Sequence, residues 1–122
     1  MTDQATFITR EVDGFRVLDV RGEIDLSNAG DFRGAVRNAL DGPDVLLVTL
    51  SAVDYLDSSA LGVLIQAARH AEMQRRKFLL VAPRELPAGK LLRIAGVDQM
   101  APIFESVDDA LASVRTRLDE HG

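Results

Sequence analysis

The sequence predicts an α/β fold built on a mixed, mostly parallel sheet with right-handed crossovers and about four helices. Two continuous apolar runs of strand length, at residues 45–50 and 78–82, are typical of strands buried on both faces of a parallel sheet. Segments with apolar residues at helical spacing separate and follow these runs, and a hairpin pattern precedes them. Strands that alternate with helices along a chain favour parallel pairing with right-handed connections.

The first predicted elements are the two strands of a hairpin. We expect a strand over residues 6–10, a two-residue turn at Asp13-Gly14 and a second strand over residues 15–21. The tetrapeptide Gly22-Glu23-Ile24-Asp25 is expected to end the second strand.

The next predicted unit is a helix followed by a buried strand. Ser27-Asn28 offers a helix cap, and apolar residues at helical spacing predict a helix over residues 28–40. The apolar run at 45–50 then forms a strand. We expect residues 51–57 to be a connection rather than part of that strand.

The third predicted unit is the longest helix, over residues 58–73, followed by the second buried strand at 78–82. The apolar face of this helix is Leu61, Leu64, Ile65, Ala68 and either Ala71 or Met73. Arg69, Arg75, Arg76 and Lys77 form a basic strip at its end, which we interpret as cations that complement the helix C-terminus.

The last predicted elements are two helices and a short strand. Pro87 suits the first turn of a helix that Gly96 ends. Residues 103–104 are a candidate strand. The C-terminal helix is marked by Asp108 and Asp109 in its first turn and by apolar residues at Val107, Ala110, Leu111, Val114 and Leu118.

Composition excludes several classes of function. The chain has 122 residues, which predicts a single domain over residues 1–122, and its 14 Lys and Arg against 19 Asp and Glu give a formal net charge of −5. The absence of cysteine excludes disulfides, thiolate metal sites and cysteine nucleophiles. An acidic balance disfavours nucleic acid as a partner. With no apolar run of membrane-spanning length and no signal-peptide pattern, we expect a cytoplasmic protein without a membrane partner.

The segment from Ser51 to Gly62 places an acid and two hydroxyls at the start of the long helix. The structural interpretation is a cap, in which Asp57 or Ser58 accepts hydrogen bonds from free N–H groups of the first turn, and the pattern alone favours it. The functional interpretation is a hydroxyl exposed at an electropositive helix end, where a phosphate would find free donors and a favourable dipole.

Two motifs resemble the signature of STAS domains, specifically of anti-sigma-factor antagonists. One is Gly22-Glu23-Ile24-Asp25 after the second strand, and the other is Leu56-Asp57-Ser58-Ser59-Ala60-Leu61-Gly62 at the start of the long helix. The resemblance extends from Phe15 through Leu118 and implies a small STAS domain. The chain departs from the pattern at Ala60, where many members have glycine.

The resemblance implies a regulator that switches partners and is not an enzyme. Ser59 matches the serine that the family's partner phosphorylates, with Ser58 as the alternative. That partner is an anti-sigma factor that is also a serine kinase of the Bergerat fold. The dephosphorylated antagonist binds it and frees a sigma factor, and a PPM-type phosphatase reverses the phosphorylation. The expected partner-binding residues are Asp25, Asp57, Ser58, Ala60, Leu61 and Gly62.

The resemblance also implies no cofactor and no metal in this chain, because ATP and magnesium belong to the kinase, and a monomer or weak homodimer. A phosphoserine adds about −1.5 to −2 charges at pH 7. Asp57 is adjacent to Ser59, and Asp25 is near if the two motifs converge. We therefore expect phosphorylation to change the fold little and a partner interface centred on Ser59 strongly.

Other chemistries lack their essential residues. A serine hydrolase needs a base, but the chain has only two histidines, His70 and His121, and no Gly-x-Ser-x-Gly elbow. On the predicted helix His70 lies roughly 16 Å along the axis from Ser59, too far to take its proton. Gly89-Lys90 is not a phosphate-binding loop, because Leu91 follows instead of Ser or Thr.

Two alternatives of other classes stay open. The chain could be a structural STAS subunit of a stress-sensing or lipid-transport assembly, which stable co-purification with a large assembly would reveal. It could also bind a small molecule or nucleotide in the cleft at the strand ends, although no glycine-rich loop for phosphates is present.

Overall fold

A computed structural model of the chain describes residues 4–121, with residues 116–121 described by their backbone alone. The side chain of Leu118, which is predicted to lie on the apolar face of the C-terminal helix, and the side chain of His121 are therefore outside the described residues. In chain order the elements are β1 (Ala5–Val12), β2 (Phe15–Ile24), α1 (Ala29–Leu40), β3 (Val45–Leu56), α2 (Ser58–Met73), β4 (Lys77–Val81), α3 (Pro87–Ile94), a 3₁₀ turn (Val97–Gln99), β5 (Ile103–Phe104) and α4 (Val107–His121).

The five strands form one sheet in the order β1-β2-β3-β4-β5. The β1–β2 pair is antiparallel and the other three pairs are parallel. The predicted α/β fold, with four helices and a mixed but mostly parallel sheet, is confirmed. None of the helices within residues 4–121 combines the length and apolar character that a membrane span requires.

Apolar side chains cover both faces of the central strands. On β3, Leu46 and Val48 pack with α1, α2 and α3, while Leu47 packs on the opposite face with α4. The apolar runs at 45–50 and 78–82 are therefore buried on both sides, as predicted. On α2 the buried position is Ala71, whereas the Met73 side chain is 80% exposed.

The hairpin connects β1 and β2 through the predicted two-residue turn. Val12 pairs with Phe15, and Asp13 and Gly14 have φ angles of 53° and 85°, the conformation that a type I′ turn requires. Both strands are longer than predicted. β2 continues beyond the predicted last residue, Arg21, and ends at Ile24, within the tetrapeptide that is expected to end it. Gly22 lies within the strand with φ +97°, where a Cβ atom would lie 2.0 Å from the carbonyl oxygen of Gln4.

Residues 51–56, predicted to be a connection, are instead the second half of β3. The pairing with β2 shifts twice, between Asp19 and Arg21 and between Gly22 and Glu23, so β3 uses two more residues than β2 over the same length. Its buried side chains are consequently Leu50, Val53 and Leu56, three residues apart instead of two. Because of this spacing, a search for alternating apolar residues does not detect the second half of β3.

Arginine side chains hold the C-terminal end of α1. Arg16 donates to the carbonyl oxygens of Ala39 and Asp41, both at 3.0 Å, and Arg76 donates to that of Leu40. The sequence predicts that Arg76 complements the C-terminus of α2, the helix that it follows. Its side chain instead bonds to the end of α1. These bonds satisfy carbonyl groups that the end of a helix leaves without partners.

A close backbone approach fixes the start of α3. Gly89 lies against the end of β4, where a Cβ atom would be 1.9 Å from the carbonyl oxygen of Pro83 and 2.8 Å from that of Ala82. Arg93 of the same helix donates to the Ala82 carbonyl at 2.9 Å and pairs with Glu105 at 2.9 Å. The contact requires glycine, and the arginine ties the helix to β4 and to the residue after β5.

We predict opposite effects of the same substitution in two helices. Gly89→Ala should lower the free energy of unfolding by about 1–3 kcal/mol, because the added methyl group would force backbone apart. Gly34→Ala in α1 has open space around its Cβ position and should raise stability by about 0.5–1 kcal/mol, the gain of alanine over glycine in a helix. Urea unfolding of both variants measures the difference, and a stabilised Gly89→Ala variant would contradict the close approach.

Candidate functional site

The two motifs converge at one edge of the sheet. Ile24 at the end of β2 pairs with Leu56 at the end of β3, and the strands are parallel. The backbone N–H of Asp57 donates to the carbonyl of Ile24 at 3.2 Å. The loop after β2 and the start of α2 therefore lie side by side. Asp25 is thus close to the segment that contains Ser59, as is expected if the two motifs converge.

The Asp57 carboxylate connects the two segments. Its Oδ1 atom accepts from the backbone N–H groups of Ser59 and Ala60 at 2.9 and 3.2 Å, which caps α2. Its Oδ2 atom accepts from the N–H of Leu26 at 3.2 Å in the loop after β2. Of the two candidate caps, Asp57 is the one observed, and it also positions the neighbouring loop.

The loop after β2 is organised by its own side chains. The Asp25 carboxylate accepts from both the hydroxyl and the backbone N–H of Ser27. Asn28, predicted to cap α1, makes no side-chain cap and instead bridges the loop, accepting from the Asp25 N–H and donating to the Glu23 carbonyl, each at 2.9 Å. The hydrogen bonds from Ser27, its hydroxyl first, lower the pKa of Asp25 below the ordinary value of 3.8.

The two serines differ in exposure. Ser58 is the first residue of α2 and is exposed, while Ser59 follows it and is half-buried. Leu61 and Gly62 are also half-buried, so part of each is accessible. Ala60 has no exposed surface and belongs to the core, so its side chain offers nothing for a partner to contact, contrary to its place among the expected partner-binding residues.

Carboxylates surround the helix end at which a phosphate on Ser59 would lie. The free donors expected there are partly occupied, because the N–H groups of Ser59 and Ala60 already bond to Asp57. Asp25 lies in the adjoining loop with a lowered pKa, so it is ionised at neutral pH. The positive end of the helix dipole is thus matched by a carboxylate before any phosphate is added.

Two exposed apolar side chains belong to the segments that meet at this site, and neither was identified from the sequence. Leu26 is 79% exposed in the loop after β2, and Tyr55 is 53% exposed near the end of β3. The only indication in the sequence that Leu26 is exposed is its place between Asp25 and Ser27, residue types that favour turns. Exposed apolar residues beside a polar site are typical of the anchors of protein interfaces.

Within the described part of the chain, no three His, Asp or Glu side chains form a group that could hold a metal ion. His70 is exposed, on the third turn of α2 after Ser59. The site consists of hydroxyls, carboxylates and backbone N–H groups.

Comparison with known proteins shows the family to which the chain belongs. Residues 6–110 match the STAS domain family. The anti-sigma-F factor antagonist RsfB of Mycobacterium tuberculosis is 32% identical over 114 residues, which cover 93% of this chain and 92% of RsfB. The crystal structure of an anti-sigma factor antagonist from Mycobacterium paratuberculosis is similar with a TM-score of 0.82 and 30% identity, covering 91% of this chain and 94% of that one.

The same fold occurs in the Bacillus cell fate determinant SpoIIAA. Its unphosphorylated form has a TM-score of 0.71 at 19% identity, covering 91% of this chain and 97% of SpoIIAA. Its phosphorylated form has a TM-score of 0.66 at 18% identity, covering 89% and 99%. At this identity the likeness concerns the fold alone.

We predict that Asp57 contributes more to the free energy of unfolding than Asp54, an exposed acid on β3, does. Asp57→Ala removes the cap of α2 and the bond to Leu26 and should lower the free energy of unfolding by about 1–2 kcal/mol. Asp54→Ala, at an exposed position of β3, should change it by less than about 0.5 kcal/mol. Urea unfolding measures both, and equal losses would contradict the capping role.

We predict that the pKa of Asp25 depends on Ser27. A ¹³C NMR titration should give a value below 3.8, and Ser27→Ala should move it back toward 3.8, whereas Ser58→Ala should leave it unchanged. Because the folded state holds this proton less tightly than the unfolded chain, the associated stability is present above pH 3.8 and is lost as the pH falls through the lower folded value. An unchanged pKa in Ser27→Ala would show that the hydroxyl is not the cause.

Proposed function

The chain belongs to the STAS-domain family of anti-sigma-factor antagonists, and we propose that phosphorylation of Ser59 switches its binding of an anti-sigma factor on and off. In this proposal the dephosphorylated chain binds an anti-sigma factor that is also a serine kinase of the Bergerat fold, and a sigma factor is released. The kinase phosphorylates Ser59, the complex dissociates, and a PPM-type phosphatase restores the binding form. The chain acts in the cytoplasm as a substrate and regulator and not as an enzyme.

The observation that carries the proposal is the occupation of the α2 N-terminus by Asp57. Since the N–H groups of Ser59 and Ala60 are already bonded to Asp57, a phosphate on Ser59 would have to displace a carboxylate or point toward solvent. In either case two carboxylates, those of Asp57 and Asp25, would lie beside about two further negative charges. Such a concentration of charge is tolerable in water and costly in a desolvated interface.

The fold itself has little reason to change on phosphorylation. Ser59 is half-buried at the first turn of α2, while the core begins at Ala60 and continues through Val63 and Leu64. SpoIIAA, which has been solved in both phosphorylation states, shares this fold in each. The effect of the phosphate is therefore expected on binding and not on stability.

The composition of the segments that meet at Ser59 supports docking of a partner there. Leu26 in the loop after β2 and Tyr55 near the end of β3 are exposed apolar residues, and Leu61 and Gly62, both half-buried, follow Ser59 along α2. Ser58 and the carboxylates of Asp25 and Asp57 are the polar groups of these segments. Protein interfaces usually combine apolar anchor side chains with polar groups that lie around them. ATP and magnesium would come with the kinase, so the chain itself uses no cofactor.

We predict that Ser59→Asp weakens binding to the serine-kinase anti-sigma factor of the same organism at least a hundredfold, equivalent to about 3 kcal/mol. Ser59→Ala should bind with wild-type affinity and should not be phosphorylated. Ser58→Asp, which adds the same charge one residue earlier at an exposed position, is the matched control and should lose less than tenfold. Isothermal titration calorimetry of the purified proteins gives the affinities, and mass spectrometry locates the phosphate.

Three results would contradict the proposal. Equal affinities of wild type and Ser59→Asp would show that the charge of Ser59 does not control binding. Phosphate confined to Ser58 would transfer the switch to that residue. If protein from its native cells carries no phosphate under any growth condition and co-purifies with a large assembly, the chain is a structural STAS subunit instead.

A further inference from the structure

The two edges of the sheet are protected unequally. At one edge lies β5, which has only two residues. At the other edge lies β1, whose eight residues from Ala5 to Val12 pair with β2 without a register shift. A long edge is usually blocked by proline, lysine, a bulge or a covering segment, because its free backbone groups can pair with another chain. The sequence of β1 holds no proline and no lysine, and its residues from Ile8 to Glu11 are exposed.

The free backbone groups of β1 belong to alternate residues. The N–H of Glu23 on β2 donates to the carbonyl of Gln4 at 2.8 Å, so from Gln4 onward every second residue bonds to β2. The groups that point away from β2 are consequently the N–H and C=O of Ala5, Phe7, Thr9 and Glu11. No hydrogen bond from another described residue reaches them. This edge therefore offers an unused row of donors and acceptors to a further strand.

The side chains of β1 also favour a further strand. Most of its residues are threonine, phenylalanine, isoleucine or valine, the types that strands prefer. The Phe7 ring stacks on Phe32 of α1 with 5.7 Å between the ring centroids, so the next side chain, Ile8, projects from the opposite face of the sheet. There Ile8 is 55% exposed, in the middle of the edge. A strand paired with β1 would remove part of this apolar surface from water.

The sequence of β1 is complementary to itself, which points to a second copy of the chain as the partner at this edge. Two copies related by a two-fold axis pair these strands antiparallel. With the axis at Ile8, the two Ile8 side chains lie opposite each other in a pair without hydrogen bonds, where side chains approach most closely. Phe7 is then opposite Thr9 of the second copy, and an aromatic residue opposite a β-branched one is a favourable pair. Arg10 is opposite Thr6 of the second copy.

Charge selects this register over its neighbours. With the axis at Ile8, Arg10 and Glu11 each lie opposite an uncharged residue of the second copy. With the axis at Thr9, Arg10 would lie diagonally beside Arg10 of the second copy, and like charges at facing positions destabilise a strand pair. With the axis at Phe7, both charged residues would lie beyond the end of the second β1. The register centred on Ile8 therefore pairs the longest stretch of β1 without bringing like charges together.

We propose that two copies of this chain associate through β1, antiparallel about a two-fold axis at Ile8, so that their sheets join into one continuous sheet. The outward groups of Phe7 and Thr9 then find their partners on the same two residues of the second copy. One added strand pair buries less area than the roughly 1,200 Å² of a stable interface, so the association is weak, with a dissociation constant of about 100 μM. Phosphorylation of Ser59 plays no part in it, since β2 separates the end of β3 from this edge.

Analytical ultracentrifugation of the full chain measures the association directly. Between about 10 μM and about 1 mM, the apparent mass should rise from that of a monomer toward that of a dimer. Amide hydrogen exchange, followed by NMR, locates the edge. At the higher concentration the N–H groups of Phe7, Thr9 and Glu11 should exchange at least about threefold more slowly. Those of Ile8 and Arg10, which already bond to β2, should not change.

Variants connect the association to β1. Ile8→Lys should weaken it at least about tenfold, because two ammonium groups would lie opposite each other. Ile94→Lys is the matched control, since Ile94 is an isoleucine of α3 that is 84% exposed, and its dissociation constant should stay within about threefold of wild type. Thr9→Pro removes an outward N–H without touching the pairing with β2 and should weaken the association as well. Circular dichroism spectra check that each variant is folded.

Single cysteines report the register, because the chain has no cysteine of its own. With oxidised glutathione as the oxidant, Ile8→Cys should form a disulfide between two copies, since the opposite residues of such a pair lie within the range that a disulfide spans. Thr9→Cys, which would face Phe7 of the second copy, and Ile94→Cys should cross-link at least about tenfold more slowly.

Three outcomes overturn the proposal. The first is an apparent mass that stays constant up to about 1 mM. The second is an Ile8→Lys variant that associates as strongly as wild type. The third is faster cross-linking through Thr9→Cys or Ile94→Cys than through Ile8→Cys, which would place the interface in another register or on another surface. The assays contain no kinase, so none of these outcomes bears on the switch proposed for Ser59.

Discussion

One carboxylate determines how the proposed switch is assembled. Asp57 caps α2 through Oδ1 and holds the loop after β2 through Oδ2, while its backbone N–H bonds to the end of β2. The position of Ser59 relative to Asp25 and Leu26 depends on these bonds. The same group that makes the helix begin at Ser58 also consumes the donors that a phosphate would otherwise use, so structural capping and the electrostatics of the site have one origin.

The sequence predicts best those elements whose apolar residues recur at a regular spacing. The run at 45–50 is apolar at every position, and α2 was predicted with the bounds that the structure shows, residues 58–73. The second half of β3 could not be found in this way. Two irregularities in its pairing with β2 place its inward side chains three residues apart at Leu50, Val53 and Leu56, a spacing that no regular strand has.

The candidate site was predictable where it depends on local sequence and not where it depends on tertiary contacts. The motif around Ser59 and the cap at Asp57 are local, and the convergence with Asp25 follows from parallel pairing. The exposure of Leu26 and Tyr55 is a result of packing, which residue type alone does not encode. The bond from Arg76 to Leu40 is likewise not predictable from local sequence, because the two residues are 36 positions apart.

The two ends of α1 are secured unequally. Its C-terminal carbonyls are held by Arg16 of β2 and by Arg76, the residue before β4, whereas at its N-terminus Asn28 provides no side-chain cap and bonds to the loop after β2 instead. Local opening of this helix should therefore start beside the Ser59 site, with hydrogen-exchange protection rising toward Leu40.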